Sequence, residues 1–554
     1  MELIVKIAIK ILLFNVLVLF LFSGCTRDVQ NDIRSFEGRL EEWRIRLKMP
    51  AFSASIVKDN EILWAKGFGY ADIDDQILAT EKTIYHLASL TKPFASIILM
   101  QLVEQNKVNL EDPISKYGID LSDAREYGMD LTSEEEIKVK HLLTHTAQGI
   151  PGSYYQYSGF LYGYIDDVIA RSSGSSFAEL LVQNITQPLH LVSTIPNISD
   201  SSNFSYTGLD ASALSRQCAS PYIIDSLYNI VEGEMEGYFG ASAGLMSSAL
   251  DMAAFSIAIT NQALLNPDTW TQVFSPTISV DGDTLPYGYG WFIQNYKGMK
   301  IIWHYGYWNT NSSLIMLVPE RGYNFVILAN TNLLSRPFGL GGGDGNVFHS
   351  PFAIEFARTF LFEDMYPDIN SDLSAQQLEE QILINKESDF EDLMILELFA
   401  LASTYTTIGD KKNSAKFYSI YNDLFTKPLP DKLNQKSLIT EITEIIDFAN
   451  EVREFSLSDD SELFVFSIGE GFGSRMYDYG WIENAATGDT LWKMTMDKTS
   501  HAGGASKNRL VNTKIKLKRG DYNLHYISDD SHSFNQWNAT PPDFAFYGIA
   551  IYKN

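Results

Sequence analysis

Cysteine is almost missing from this chain of 554 residues, which has only Cys25 and Cys218. So few thiols build neither a disulfide framework nor a cysteine-based metal site, and Cys218 reads as a small packed residue. Basic charge is scarce too. Lys and Arg number 42 against 69 Asp and Glu, a net charge of −27. That argues against nucleic acid as a partner, because phosphates call for a basic surface. The apolar run Ile11 to Phe22 is too short for a comfortable membrane span. The run Gly341-Gly342-Gly343 lacks the Gly-Lys-Ser/Thr ending of a phosphate loop, and reads as a surface loop. What remains is a globular composition, 45% hydrophobic and 20% charged, in a chain long enough for more than one core.

The N-terminus reads as a targeting segment. Lys6 and Lys10 precede the apolar run, which ends in Phe22-Ser23-Gly24-Cys25. Small residues before a cysteine resemble a bacterial lipoprotein cleavage site. Residues 1–24 are then a signal peptide, and a lipidated Cys25 anchors the protein to a membrane with its body in the cell envelope. An ordinary cleaved signal peptide or an uncleaved anchor is the alternative.

Chemistry concentrates in Tyr85-His86-Leu87-Ala88-Ser89-Leu90-Thr91-Lys92-Pro93-Phe94. The apolar run after Pro93 reads as a buried helix. Proline is tolerated only near a helix start, so the helix begins close to Ser89. Residues three apart then share a face, and Lys92 reaches the Ser89 hydroxyl. A helix N-terminus and a dry pocket both disfavour an ammonium. A neutral Lys92 can therefore take the serine proton and make Ser89 a nucleophile. The second such tetrad, Ser55 to Lys58, lies in an alternating strand-like run, where positions three apart point to opposite faces.

Downstream come His141-Leu142-Leu143-Thr144-His145-Thr146-Ala147-Gln148-Gly149, then Tyr157-Ser158-Gly159, then Ala241 to Ser248, Tyr289-Gly290-Trp291 and His304-Tyr305-Gly306. In this order and spacing the set, over about residues 35–365, resembles the serine β-lactamase-like family. That family includes class C β-lactamases, D-Ala-D-Ala peptidases, D-aminopeptidases and serine esterases. The resemblance implies an antiparallel sheet flanked by helices, with a helical lobe. It makes Tyr157 the active-site tyrosine that shuttles a proton; an aromatic lid is the alternative. A phenol titrates near 10, so the shuttle needs a cation such as Lys92 to hold a phenolate. The family's Asn two residues on is Gly159 here, which weakens the case for β-lactam turnover. His304 stands where β-lactamases usually have the lysine of Lys-Thr-Gly. It is expected to donate a hydrogen bond to an ester or a less anionic amide, or else to be a satisfied strand histidine. Tyr305 and Gly306 line the substrate, Gly306 allowing close backbone approach. The amides of Tyr307 and Ser89 form the oxyanion hole. His141 and His145 read as loop-fixing residues and not as metal ligands, and no metal or cofactor is implied.

Within the first domain, Asp28 to Leu47 reads as a helix, 52–71 as a hairpin, Glu134 to Leu143 as a short helix, and Ser313 to Asn330 as a second hairpin. Three parts follow the signal peptide: a hydrolase domain at 25–369, a helical connector at 370–452 with one faintly tetratricopeptide-like hairpin, and a β-sandwich at 453–554. The architecture is thus multidomain, α/β plus all-β. The expected activity is acyl transfer through Ser89 on a small ester or amide, or on a peptidoglycan-type peptide, with esterase or D-amino-acid peptidase chemistry ahead of a true β-lactamase. The alternatives are an envelope protein that binds cell-wall peptide or β-lactam without turnover, and a glycan binder acting through the sandwich.

Overall fold

The computed structural model describes residues 29–553 except 341–344, 363–364, 366–368, 386–388, 426–437, 473–474, 503–506, 530–531, 535–536, 538–541 and 543–545. Cys25 and the 341–343 glycine run lie outside the described residues.

β1 (Ala51–Lys58) and β2 (Glu61–Asp72) form the first hairpin, turned by Asp59 and Asn60 at positive φ. β3 (Ile77–Leu78), β4 (Phe292–Tyr296), β5 (Met299–Tyr307), β6 (Ser312–Val318) and β7 (Tyr323–Ala329) complete an antiparallel sheet in the order β3-β2-β1-β7-β6-β5-β4. The first strand closes onto the last, with Phe52 opposite Ala329. β1, β6 and β7 are covered on both faces, which is why they carry almost unbroken buried runs. One face takes α1 (Val29–Arg46), whose Ile33, Phe36, Leu40 and Trp43 recur at helical spacing. Phe36 meets Phe325 edge to face at 5.8 Å. The other face takes the helical lobe, including α2 (Lys92–Glu104), α3 (Ile165–Ser173) and α4 (Ala249–Thr260). Phe94 of α2 stacks on Phe255 of α4 at 3.8 Å. The second Ser-x-x-Lys tetrad is split as its strand requires: Ser55 Oγ donates to Ala249 O, while Lys58 lies over the Tyr323 ring.

Two expectations need correction. The helix expected from Glu134 covers only Val139–Leu143. The preceding residues are drawn into extended contacts, with Ile114 N donating to Ile137 O and Lys138 bridging Pro113. The helical connector expected at 370–452 also ran too far. The connector has three helices, α5 (Ala375–Asn385), α6 (Glu391–Thr407) and α7 (Lys411–Phe425), but Leu438–Ile442 and Asn450–Leu457 are strands. Their partners are Gly548–Lys553 and Gly520–Ile527. Pairing over such separations leaves little mark on local periodicity. The connector is docked on the hydrolase domain. Glu355, on the helix Pro351–Phe356, binds Arg39 of α1 at 2.9 Å and Arg358 at 3.1 Å, and Arg358 binds Glu397 of α6 at 2.6 Å.

The C-terminal strands form two sheets. One runs 438–442, 548–553, 461–472, 508–517, 500–501, and the other 450–457, 520–527, 479–484, 490–493. Leu463, Val465 and Ile551 of the first and Ile482, Leu524 and Tyr526 of the second fill one core. Glu470, Asp478 and Asp529 bring carboxylate oxygens within 4.8 Å of one another there. Lys507 pairs with Glu470 at 3.0 Å, and Tyr547 donates to Asp478 at 2.6 Å. Among the described residues no helix is long and apolar enough to cross a membrane.

Candidate active site

The nucleophile region begins with a tight turn. A short strand, Ile84–His86, pairs with Met246–Ser248. A 3₁₀ turn, Ala88–Thr91, then leads into α2. In a 3₁₀ turn residues three apart eclipse, which sets Lys92 directly over Ser89. Ala88 takes a left-handed backbone, φ +50, a strained state for a side chain with a β-carbon. It is held by its N–H donating to His86 Nδ1 at 3.1 Å and its carbonyl accepting from Thr91 Oγ1 at 2.7 Å.

Ser89 is half-exposed, whereas Lys92 is fully buried. Lys92 Nζ lies 3.0 Å from Ser89 Oγ and donates to Ser242 O at 2.9 Å. The Tyr157 and Tyr162 rings stand 4.9 and 5.3 Å from it. Among the described residues no carboxylate pairs with this amine, and burial pushes it well below the ordinary lysine range. The site thus holds a dry amine, whose neutral form burial favours, against a reachable hydroxyl.

Tyr157 approaches the same point. Its ring stacks on His145 at 4.2 Å and stands 5.6 Å from that of Tyr305. Its hydroxyl oxygen is enclosed without a hydrogen bond of ordinary geometry, although the Ser89 hydroxyl is near enough to favour its ionised form. Burial outweighs that pull and drives the phenol well above its usual value. A phenolate held by a cation is therefore corrected: burial disfavours the ammonium form of Lys92, and it raises Tyr157 so far that the phenol stays a neutral O–H.

His304 is also corrected. It is fully buried in β5. Nδ1 lies 2.7 Å from Tyr305 O, and Nε2 lies 2.8 Å from the Tyr287 hydroxyl. A carbonyl only accepts, so Nδ1 carries the proton and Tyr287 donates to Nε2. Burial, then Lys92 nearby, push the ring well below the ordinary histidine range. A neutral ring with both nitrogens engaged has no hydrogen bond left for substrate.

Tyr305 is buried, and Tyr307 is exposed just beyond it. Between them Gly306 passes against the nucleophile turn: a β-carbon there would overlap both Leu87 O and Ser313 Oγ. Ser313 Oγ already donates to Leu87 O at 2.7 Å. Gly306→Ala must therefore push β5 away from Ser89. We expect a loss of about 3 kcal/mol in urea unfolding, with hydrolysis falling alongside it. Gly159 lies beside the lysine, and a β-carbon there would meet only Lys92 Nζ, at 3.8 Å.

Sequence reasoning did not single out the Ser242 carbonyl and Asp166, and it read His145 only as a loop-fixing residue. The Ser242 carbonyl that binds Lys92 is a backbone group and leaves no side-chain signal. His145 carries no metal context: its Nδ1 accepts from Ser158 N–H at 3.1 Å, and its ring sits among Tyr157, Tyr162 and Tyr287 at 4.2–5.2 Å. Asp166 is half-buried behind the site and accepts from Ala241 N–H through both oxygens.

The sequence profile of the family described as Beta-lactamase matches residues 34–339, and the chain belongs to this family of serine hydrolases. Among curated proteins it is 26% identical over 321 residues to Protein flp of Staphylococcus aureus (strain NCTC 8325 / PS 47), covering 51% of this chain and 60% of that protein. It is 23% identical over 343 residues to Unguisins hydrolase ungD' of Aspergillus campestris, covering 54% and 60%. The chain thus spans about three-fifths of the length of these relatives. Among solved structures it resembles the octameric penicillin-binding protein homologue from Pyrococcus abyssi, with TM-score 0.48, 23% identity, and 59% of this chain and 77% of that one covered. It also resembles D-alanine carboxypeptidase AmpC from Burkholderia cenocepacia, with TM-score 0.44, 16% identity, and 55% and 95% covered.

Proposed function

We propose that the protein hydrolyses an ester or amide through an acyl-enzyme on Ser89, with esterase or D-amino-acid peptidase chemistry ahead of β-lactam hydrolysis. The observation that carries the reading is the fully buried Lys92 amine 3.0 Å from Ser89 Oγ, its neutral form favoured by burial. The lysine lone pair takes the hydroxyl proton as Oγ bonds to the substrate carbonyl carbon. The Ser89 and Tyr307 amides receive the oxyanion. The carbon–leaving-group bond breaks, and the leaving group takes the proton back from Lys92 with the neutral Tyr157 hydroxyl alongside. Water then attacks the acyl group, loses a proton to Lys92 and returns Ser89.

The preference against anionic substrates rests on His304, which stands where a lysine would attract a carboxylate and is neutral and enclosed. A second reading, acylation without turnover, is favoured by Gly159, where no side chain fills the space beside Lys92. A fluorophosphonate probe mapped by mass spectrometry, together with turnover of a short aryl ester, a cephalosporin and a D-Ala-D-Ala peptide, tests both. Absence of a label on Ser89 would sink the first reading, and a stoichiometric adduct without turnover would select the second. The room at 159 gives a further expectation: Gly159→Asn places an amide beside the lysine and raises amide or cephalosporin turnover about tenfold, the worth of one hydrogen bond to a reacting group.

We also place the protein at the cell envelope on a lipidated Cys25, supported by the charge and hydropathy of residues 1–24. Mass spectrometry of the mature N-terminus tests this; an unmodified cysteine, or a chain cut elsewhere, would remove it.

A further inference from the structure

The lysine amine is held by a turn, and the turn is held by a half-buried acid. Gly240 and Ala243 close a four-residue turn, Gly240 N donating to Ala243 O at 2.9 Å and Ala243 N to Gly240 O at 3.2 Å. Its two central residues face opposite ways. Ser242 O accepts from Lys92 Nζ at 2.9 Å. Ala241 N–H donates to Asp166, 3.0 Å from Oδ1 and 2.9 Å from Oδ2. The outgoing chain is tied to the nucleophile turn by Leu245 N donating to Thr91 Oγ1 at 3.0 Å. The fit is close: a β-carbon at Gly240 would come within 2.5 Å of Asp166 Oδ2 and overlap the Tyr238 hydroxyl.

We propose that Asp166 is a positioning residue for Lys92: it clamps the Gly240–Ala243 turn through Ala241 N–H, so that the Ser242 carbonyl holds the amine with its lone pair toward Ser89. A neutral amine has two N–H bonds and one lone pair. Fixing one N–H on Ser242 O limits the directions the lone pair can take, and orientation of this kind governs proton-transfer rates. An ionised carboxylate accepts from an N–H more strongly than a neutral carboxyl does, so the clamp is tightest when Asp166 is charged.

The groups facing Asp166 make its charge state responsive to pH. Asp167 adjoins it on α3. Tyr238 lies beside it and meets Ser242 Oγ at 3.2 Å. Lys92 of α2 is reached through Ser242 O, and burial disfavours its charged form. No cation among the described residues pairs with Asp166. Burial, opposed by the Ala241 N–H and reinforced by Asp167, lifts the carboxyl to about 7.

The inference rests on Ser89 being the nucleophile that Lys92 serves, and the test separates the two. The rate of fluorophosphonate labelling of Ser89 is measured from pH 5 to 9 on the full chain and on Asp166→Asn, with thermal melts alongside. The wild-type rate should fall as pH drops through an ionisation near 7. The variant should lack that ionisation and label about tenfold more slowly at pH 8, the worth of one charge-assisted hydrogen bond. Any limb belonging to Lys92 persists in both proteins. Equal rates with unchanged profiles would overturn the clamp alone, whereas a wild type that is never labelled would overturn the serine-hydrolase reading and the clamp with it. If Asp166→Asn fails to fold, Asp166→Ser, with room for a water against Ala241 N–H, takes its place under the same two outcomes.

Discussion

Ser89→Ala is expected to lower ester hydrolysis by at least about 10⁴-fold, the scale on which removal of a serine nucleophile acts, and to abolish fluorophosphonate labelling. The fold should survive. Ser89 is half-exposed, and its side chain meets Lys92 and the Tyr157 hydroxyl, neither of which holds the turn. The strained Ala88 backbone is held by His86 and Thr91, which the substitution leaves alone. Alanine keeps the 3₁₀ turn and the Ser89 amide, so substrate still binds but meets no attacking oxygen. Thermal unfolding should stay within about 2 °C of the parent, as for a change that removes little buried contact. The two readings together carry the argument: a variant that melts normally yet turns over substrate would show that the nucleophile lies elsewhere.

Lys92→Met should lower activity by a comparable factor, about 10⁴-fold, because the other group beside Ser89, Tyr157, is a neutral phenol and a poor proton acceptor. Stability should move the other way. Lys92 is fully buried without an acidic partner. At neutral pH the unfolded chain carries it charged, whereas burial in the folded chain disfavours that charge. A depressed pKa contributes stability only above the unfolded value of 10.5, and that stability is lost as pH falls toward the folded value. At pH 7, well below 10.5, the wild type bears part or all of this cost, and methionine of similar length removes it. The Ser242 carbonyl loses a donor in return, at about 1–2 kcal/mol. The net expectation is a variant more stable than wild type by about 1–2 kcal/mol at pH 7, with the gap closing as pH approaches 10. Urea unfolding at both pH values checks it; a variant that is less stable at pH 7 and equally so at pH 10 would mean that the amine is not held neutral.

Most of the hydrolase domain was legible because its elements announce themselves locally. α1 follows from Ile33, Phe36, Leu40 and Trp43, and the first hairpin from a covered strand ending in Asp59-Asn60. The Ser89 and Lys92 pairing followed from Pro93 alone, since proline fixes where a helix begins. The sandwich strands at 438–442 and 450–457 were misread because a polar edge segment resembles an amphipathic helix until its distant partner is known.

The site divides along the same line. Which residues are present, in what order, and that a serine and a lysine share one turn are matters of sequence, because short-range geometry follows from residue type and spacing. The charge each group carries was decided by the tertiary structure. Tyr157 became a neutral phenol, and His304 a ring with both nitrogens engaged, because desolvation and hydrogen-bond partners come from segments far apart in the chain. The clamp on Lys92 arises from a backbone carbonyl at 242 and a carboxylate at 166 that meet only in the folded protein. Proximity of that kind leaves no trace in spacing, since it depends on how the helical lobe packs against the sheet.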